Sequence, residues 1–236
     1  MYSTSRLENL STIFCLVIFA AIFFSCTAEV SHRETSPPVE PWEEGFESIF
    51  DGKTLDGWKR HDGLPEDNIG GRWQVTDGAI AGDQDPPGRG GLLITTQKYR
   101  DYILKLEVNI DYPVDSGIFL RVGETGRSHQ VTLDNREGGQ IGAIYLPWTQ
   151  GGVMESPEGM EHFTSSEWQD VEIRIQGEPA HIQFRLNGHL VTDFQHTEET
   201  TKGNPTEGYI AVQVHPGGGW IEGNKARFRD IRVKEL

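Results

Sequence analysis

Cysteine is almost missing from this sequence. The 236 residues contain two, Cys15 and Cys26, and both fall near the start of the chain. Everything after Cys26 is therefore without a disulfide, a thiolate metal site or a cysteine nucleophile. A fold without such staples must rest on an apolar core, which a chain of this length can supply. Other signatures are missing too. There is no G-x-S-x-G elbow, no H-E-x-x-H pair and no phosphate-binding glycine loop. Positive charge is scarce: 21 Lys and Arg stand against 36 Asp and Glu, a formal net charge of −15. Such a surface repels phosphate backbones, so a nucleic-acid partner is not expected. No convincing amphipathic helix is visible, and "SPEGMEHF" allows one short turn. The long apolar run, Ile13 to Phe24, is shorter than a membrane-spanning helix needs.

That run reads as a targeting segment. Arg6 precedes it, and it ends in "FFSC", which resembles a bacterial lipobox. The resemblance implies cleavage before Cys26 and a lipid on that cysteine; an ordinary cleaved signal and an uncleaved anchor are the alternatives. The expected organisation is a lipoprotein signal peptide over 1–25, a lipidated N-terminus and flexible tether over 26–44, and a single domain over 45–236. The tether, "TAEVSHRETSPPVEPWEE", is polar and proline-rich. The expected location is the bacterial cell envelope, with the lipid holding the exported domain to a membrane.

What is present in quantity is glycine, 28 residues, and aromatics, 10% of the chain with six tryptophans. Gly-rich turns with many aromatics suit a β protein. Alternation supports that. "YILKLEVNI" puts Leu104, Leu106, Val108 and Ile110 on one face, and "VEIRI" does the same with Val171, Ile173 and Ile175. "HIQFRLNGHLVTDF" reads as a hairpin on an Asn187-Gly188 type I′ turn, with Ile182, Phe184 and Leu186 inward. "ARFRDIRVKEL" changes phase near Asp230, the mark of a bulge. About a dozen strands in one domain predict an all-β, two-sheet antiparallel jelly-roll sandwich. The stretch from Glu167 to Phe194 resembles the hairpin core of sandwiches of the concanavalin A-like lectin and glucanase type.

The informative polar residues are those that share a face. If Ile118, Leu120 and Val122 of "SGIFLRVG" point inward, Phe119 and Arg121 point outward. By the same logic Gln130 and Asp134 oppose Val131 and Leu133, while Gln213 and His215 oppose Val212 and Val214. In one sheet these strands give an open face bearing Arg121, Gln130, Asp134, Gln213 and His215, with Glu107 nearby. A cation, amides, a carboxylate and an imidazole suit a hydroxyl-rich carbohydrate ligand. The plain alternative is a solvent-facing sheet. "DQDPPG" at Asp83 begins like a calcium loop, but Ile94 stands where the closing acid is needed, and it reads as a turn. "DGKTLDGW" reads as two Asp-Gly turns that bury Trp58.

Several blocks carry a family resemblance. "FESIFDGKTLDGW", "WQVTDGAIAG", "GGLLITTQKYRDYILKLEV", "DSGIFLR", "GAIY", "EWQDVEIRIQG" and "GYIAVQVHPGG" with "FRDIRVKEL" occur in the order found in the 3-keto-disaccharide hydrolase domain family. The resemblance covers about residues 46–236. Asp115 stands where that family usually has asparagine, and His129 and Thr132 stand where it more often has an acid and an aliphatic residue. His129 either takes over as base there or leaves that role empty.

The resemblance implies cleavage of glycosides already oxidised at C3. A C3 ketone acidifies the C2 proton, so the route needs a base, an oxyanion stabiliser and an acid. It does not need the carboxylate pair of ordinary glycosidases. On the composition of the face, Arg121 is expected to stabilise the enolate, His215 to act as base or acid, and Asp134 to orient His215 or share the proton work. Glu107, Gln130, Tyr145, Gln213 and Trp220 are the expected sugar contacts. No cofactor is called for; a divalent cation in place of Arg121 is the alternative electrophile. Two other readings stand beside this one: a non-catalytic carbohydrate-binding module stacking a sugar on Trp148 or Trp220, and a structural surface lipoprotein.

Overall fold

The computed structural model of the protein describes residues 44–86, 88–218 and 220–236. The leader, Cys26 and nearly all of the tether lie outside the described residues. Strands dominate. They run along the chain as β1 (Glu47–Ser48), β2 (Trp58–Arg60), β3 (Arg72–Thr76), β4 (Ala79–Asp83), β5 (Gly91–Tyr99), β6 (Tyr102–Ile110), β7 (Val114–Val122) and β8 (His129–Asn135). They continue as β9 (Ile141–Leu146), β10 (Gly151–Met154), β11 (Gln169–Gln176), β12 (His181–Leu186), β13 (His189–Gln195), β14 (Gly208–Val214) and β15 (Ala226–Glu235). Among the described residues the one α-helix is a single turn, Glu198–Thr201, and "SPEGMEHF" forms a 3₁₀ turn over Gly159–His162.

The strands make two antiparallel sheets. The back sheet has the order β13-β12-β11-β6-β15-β4-β3, with β1 added on β15. The front sheet has the order β10-β9-β8-β7-β14-β5-β2. Neighbours far apart in sequence, such as β6 beside β15 and β7 beside β14, are the crossovers of a jelly roll. The expected alternation holds across the interior. Leu104, Leu106, Val108, Ile173, Phe184 and Phe228 of the back sheet meet Ile118, Leu120, Val131, Leu133, Ile144 and Val212 of the front one. Each such side chain removed from water contributes about 1.5–3 kcal/mol.

Turns follow their local chemistry. Asn187 and Gly188 both have positive φ, 50° and 81°, as a type I′ hairpin requires. Asp230 sits at φ 50° where the β15 register shifts between Arg229 and Arg232, the bulge seen in the phase change. Trp58 is buried, and its indole donates to the Ile49 carbonyl at 2.7 Å. The acids of "DQDPPG" are taken up by cations: Asp83 pairs with Arg72 and Lys225, and Asp85 with Arg89.

One phase expectation fails, and with consequences. Three steps on β7, Phe119 to Val122, are matched by two on β14, Ala211 to Tyr209. The extra residue is accommodated at Arg121, which takes φ 54°. This bulge reverses the phase beyond it. Val122, expected inside, joins Leu64, Leu92, Ile94, Phe119, Tyr209 and Ala211 in a second apolar cluster on the outer face of the front sheet. That cluster closes one end of the outer face, and the other end stays open.

Candidate functional site

The open end is a cavity of about 460 Å³. Its wall on β8 carries Gln130, Thr132 and Asp134; β14 and the residue after it supply Gln213 and His215; β7 supplies Asp115 and Phe119. Tyr145 and Trp148 stand at the rim, 44% and 40% exposed. Trp148 holds its exposed ring from a left-handed backbone, φ 57°, a strained choice for a bulky residue.

Charge is concentrated at one spot. Arg136, in the turn after β8, places Nη2 2.6 Å from Asp115 Oδ2. It also holds Asp134 bidentately, Nε to Oδ1 at 2.7 Å and Nη2 to Oδ2 at 2.8 Å. Those hydrogen bonds fix Arg136 still more firmly in its protonated form. His215 completes the group, its Nδ1 3.7 Å from Asp115 Oδ2. Its backbone is held from two sides: the N–H meets the Asp115 carbonyl at 3.4 Å, and Gln84 Nε2 donates to the His215 carbonyl at 2.6 Å. Below, Ser116 Oγ donates to the Gln213 carbonyl at 2.7 Å and so ties β7 to β14 where the two strands part. Gln130 Nε2 reaches Gln213 Oε1 at 3.3 Å.

Asp115 is the perturbed member. It is 7% exposed, and burial pushes its carboxyl above the usual range. His215 pulls the other way, Asp134 adds to the rise, and Arg136 opposes it. The result is a carboxylate with unusual proton affinity facing an imidazole that is 42% exposed at the cavity mouth.

The structure brings together five of the sequence-derived candidates, Asp134, His215, Gln130, Gln213 and Tyr145. It separates three others. Arg121 is fully buried between the sheets, where Nη2 binds Asp101 Oδ1 at 2.7 Å, Nε the Arg100 carbonyl at 2.5 Å, and Nη1 the Gly177 carbonyl at 3.2 Å. The bulge turned it from the open face, so it cannot reach an enolate in this cavity. Glu107 lies on the outer face of the back sheet, paired with Arg229. The two sheets present opposite outer faces, which is why strand phase alone could not exclude it. Trp220 lines a neighbouring cavity instead. His129, the possible substitute base, faces the interior: it is 1% exposed, its Nδ1 is 3.1 Å from His196 Nε2, and burial drives it down to about 3. It is a neutral packing group.

Two residues of this charged cluster, Asp115 and Arg136, were not among the sequence-derived candidates. Asp115 shares the outward phase of Phe119, so carrying that alternation four residues back reaches it. Arg136 lies in a turn, where no period exists to follow. It supplies the cation expected from Arg121. Among the described residues no group of three or more His, Cys, Asp or Glu side chains is placed to hold a metal ion.

The comparisons with known proteins agree with this architecture. Residues 45–234 match the model of the 3-keto-alpha-glucoside-1,2-lyase-like domain. A protein of Bacteroides thetaiotaomicron named 3-keto-disaccharide hydrolase is 31% identical over 247 aligned positions, which cover 82% of this chain and 79% of the relative. A Parabacteroides distasonis structure, described as a candidate glycosyl hydrolase, superposes with a TM-score of 0.58 at 22% identity, over 84% of this chain and 98% of that one. The carbohydrate-binding module CBM66 of Bacillus subtilis gives 0.55 at 12% identity, over 76% and 96%. The two structural likenesses show the shared sandwich; the family model and the relative show descent. The chain belongs to the family of 3-keto-alpha-glucoside-1,2-lyase-like domains.

Proposed function

We propose that this domain cleaves glycosides oxidised at C3 of the sugar, beginning with removal of the C2 proton. The observation that carries the reading is the convergence of Asp115, Asp134, Arg136 and His215 on one open cavity beside the amides of Gln130 and Gln213. The names of the family and of the Bacteroides relative support the same substrate class.

In the proposed route Asp115 takes the C2 proton, the C2–H electron pair forms the C2–C3 double bond, and the carbonyl pair moves onto O3. Burial gives Asp115 the raised proton affinity that a base for so weak an acid needs. Arg136 offsets the charge that builds at the site, and the Gln130 and Gln213 amides orient the ring. Collapse of the enolate makes the C1–C2 double bond and expels the glycosidic oxygen, which takes a proton from His215. Water then adds at C1 and a proton returns to C2, for net hydrolysis. Tyr145 and Trp148 offer the rim a stacking surface.

The test is to incubate the domain with 3-keto-trehalose or methyl 3-keto-glucoside in heavy water and follow released sugar and deuterium at C2. Cleavage with deuterium at C2 is expected. No cleavage of any 3-keto glycoside would overturn the reading. Binding of sugars without turnover would instead favour a carbohydrate-binding module, for which the exposed Tyr145 and Trp148 speak. The same proposal keeps Cys26 as a lipid-bearing N-terminus in the cell envelope; the mass of the mature N-terminal peptide from membranes checks it, and an unmodified Cys26 would refute it.

A further inference from the structure

Beyond the strap His215–Gly218 lies a second cavity, of about 530 Å³, with Arg72, Asp83, Gln84, Trp220 and Asn224 in its walls. Three observations bear on what it takes. First, Trp220 packs against the main core and also lines the cavity, so its ring is held in place. Its indole N–H has no partner among the described residues. That N–H is sealed from solvent, so what Trp220 offers the cavity is its ring rather than its donor. Second, acids outnumber cations in the wall: Arg72 stands against Asp83, Asp85 and Glu222, and its Nη2 is already held by Asp83 Oδ2 at 2.8 Å. An aromatic plate beside surplus acids and amides suits a neutral polyhydroxylated ring and repels a phosphate or a carboxylate. Third, the strap is a shared wall. Gln84 Nε2 donates to the carbonyls of His215 and Gly217, at 2.6 and 2.9 Å. A Cβ added at Gly217 or Gly218 would meet nothing within 4 Å, so the strap offers bare backbone to whatever lies beside it.

We infer that this second cavity binds the leaving-group sugar, an unoxidised hexose ring, while the keto ring occupies the cavity of Asp115 and His215. Which ring reacts rests on the proposed function; binding of a neutral hexose beside Trp220 does not.

Two measurements test it. In ¹⁵N-labelled protein, titration with methyl α-glucoside should shift the Trp220 indole N–H resonance saturably, and Arg72→Ala should weaken that binding by about tenfold. A Trp220 resonance that stays still while the Gln130 side-chain amide moves would put the sugar only in the first cavity and overturn the inference. In turnover, Arg72→Ala and Trp220→Ala, which removes the ring from the cavity wall, should each lower kcat/KM about tenfold for 3-keto-trehalose and leave methyl 3-keto-glucoside unchanged. Equal losses on both substrates would overturn it. If the unaltered protein cleaves neither substrate, the cleavage reading has failed, and the indole titration still decides the second cavity.

Discussion

Two polar clusters lie back to back across the front sheet. On its inner side His129 meets His196, and Arg121 meets Asp101. On its outer side Asp115 and Asp134 share Arg136, with His215 alongside. The residue types are nearly the same, and the duties are opposite. Inside, the donors of Arg121 are spent on nearby carbonyls and Asp101, and burial drives the imidazoles to about 3 and about 4, so both are neutral at working pH. Outside, burial is partial and raises a carboxylate instead, beside space that a substrate can fill. Environment, rather than residue type, separates a packing group from a site.

The sharpest way to break this contrast is to alter one imidazole on each side. His215→Ala and Asp115→Asn should each lower turnover of a 3-keto glycoside on the order of 10³-fold, with little change in melting temperature. His129→Leu should leave the turnover of folded molecules within about twofold, since the residue faces the interior and does not line the cavity. Turnover at the original rate in His215→Ala would end its assignment.

Next in size is Arg121. Its removal strands Asp101 and the carbonyls of Arg100 and Gly177, so Arg121→Met should lose about 3 kcal/mol of unfolding free energy in a denaturant titration. The catalytic rate per folded molecule should stay put. A variant as stable as the parent but inactive would return Arg121 to the chemistry.

The buried imidazoles also make a pH prediction. Their folded values lie below the ordinary 6.5, so the unfolded chain binds protons that the folded one refuses. Their contribution is intact above pH 6.5 and is lost as pH falls towards 4 and 3. By pH 5.5 each should cost about 1 kcal/mol relative to pH 7.5. Denaturant midpoints at the two pH values measure it, and His129→Leu with His196→Phe should flatten the difference. An equally steep fall in that double variant would assign the acid sensitivity elsewhere.

Much of this was legible in the sequence because a strand buried on one face writes itself with period two. Val131 and Leu133 marked the inside of β8, and Gln130 and Asp134 followed as the outside. The Asn187-Gly188 turn and the Asp230 bulge were legible for the same local reason. Period two fails at a bulge. One extra residue at Arg121 reversed β7, and no composition rule announces a positive φ at an arginine. Periodicity also carries no sheet label, so Glu107 could be placed on a face but not on the correct sheet. Arg136 sits in a turn and becomes a site residue only through its fork of bonds to two carboxylates.

The smallest effect tests how finely the outer cluster is set. Gly117 lies on β7 next to the Gln130 side chain, and a Cβ there would come within 2.5 Å of Gln130 Nε2. Its φ is not in the left-handed region, so alanine brings no backbone strain, and what it meets is the mobile end of one side chain. Gly117→Ala should therefore change stability by no more than about 0.5 kcal/mol. The displaced amide would lose its 3.3 Å contact with Gln213 Oε1 and enter the space meant for the ring. KM for the keto substrate should rise about threefold with kcat nearly constant, the pattern of lost uniform binding. A fall in kcat at constant KM would mean that Gln130 acts in the transition state, and the line between orienting amides and the charged pair would then have to be redrawn.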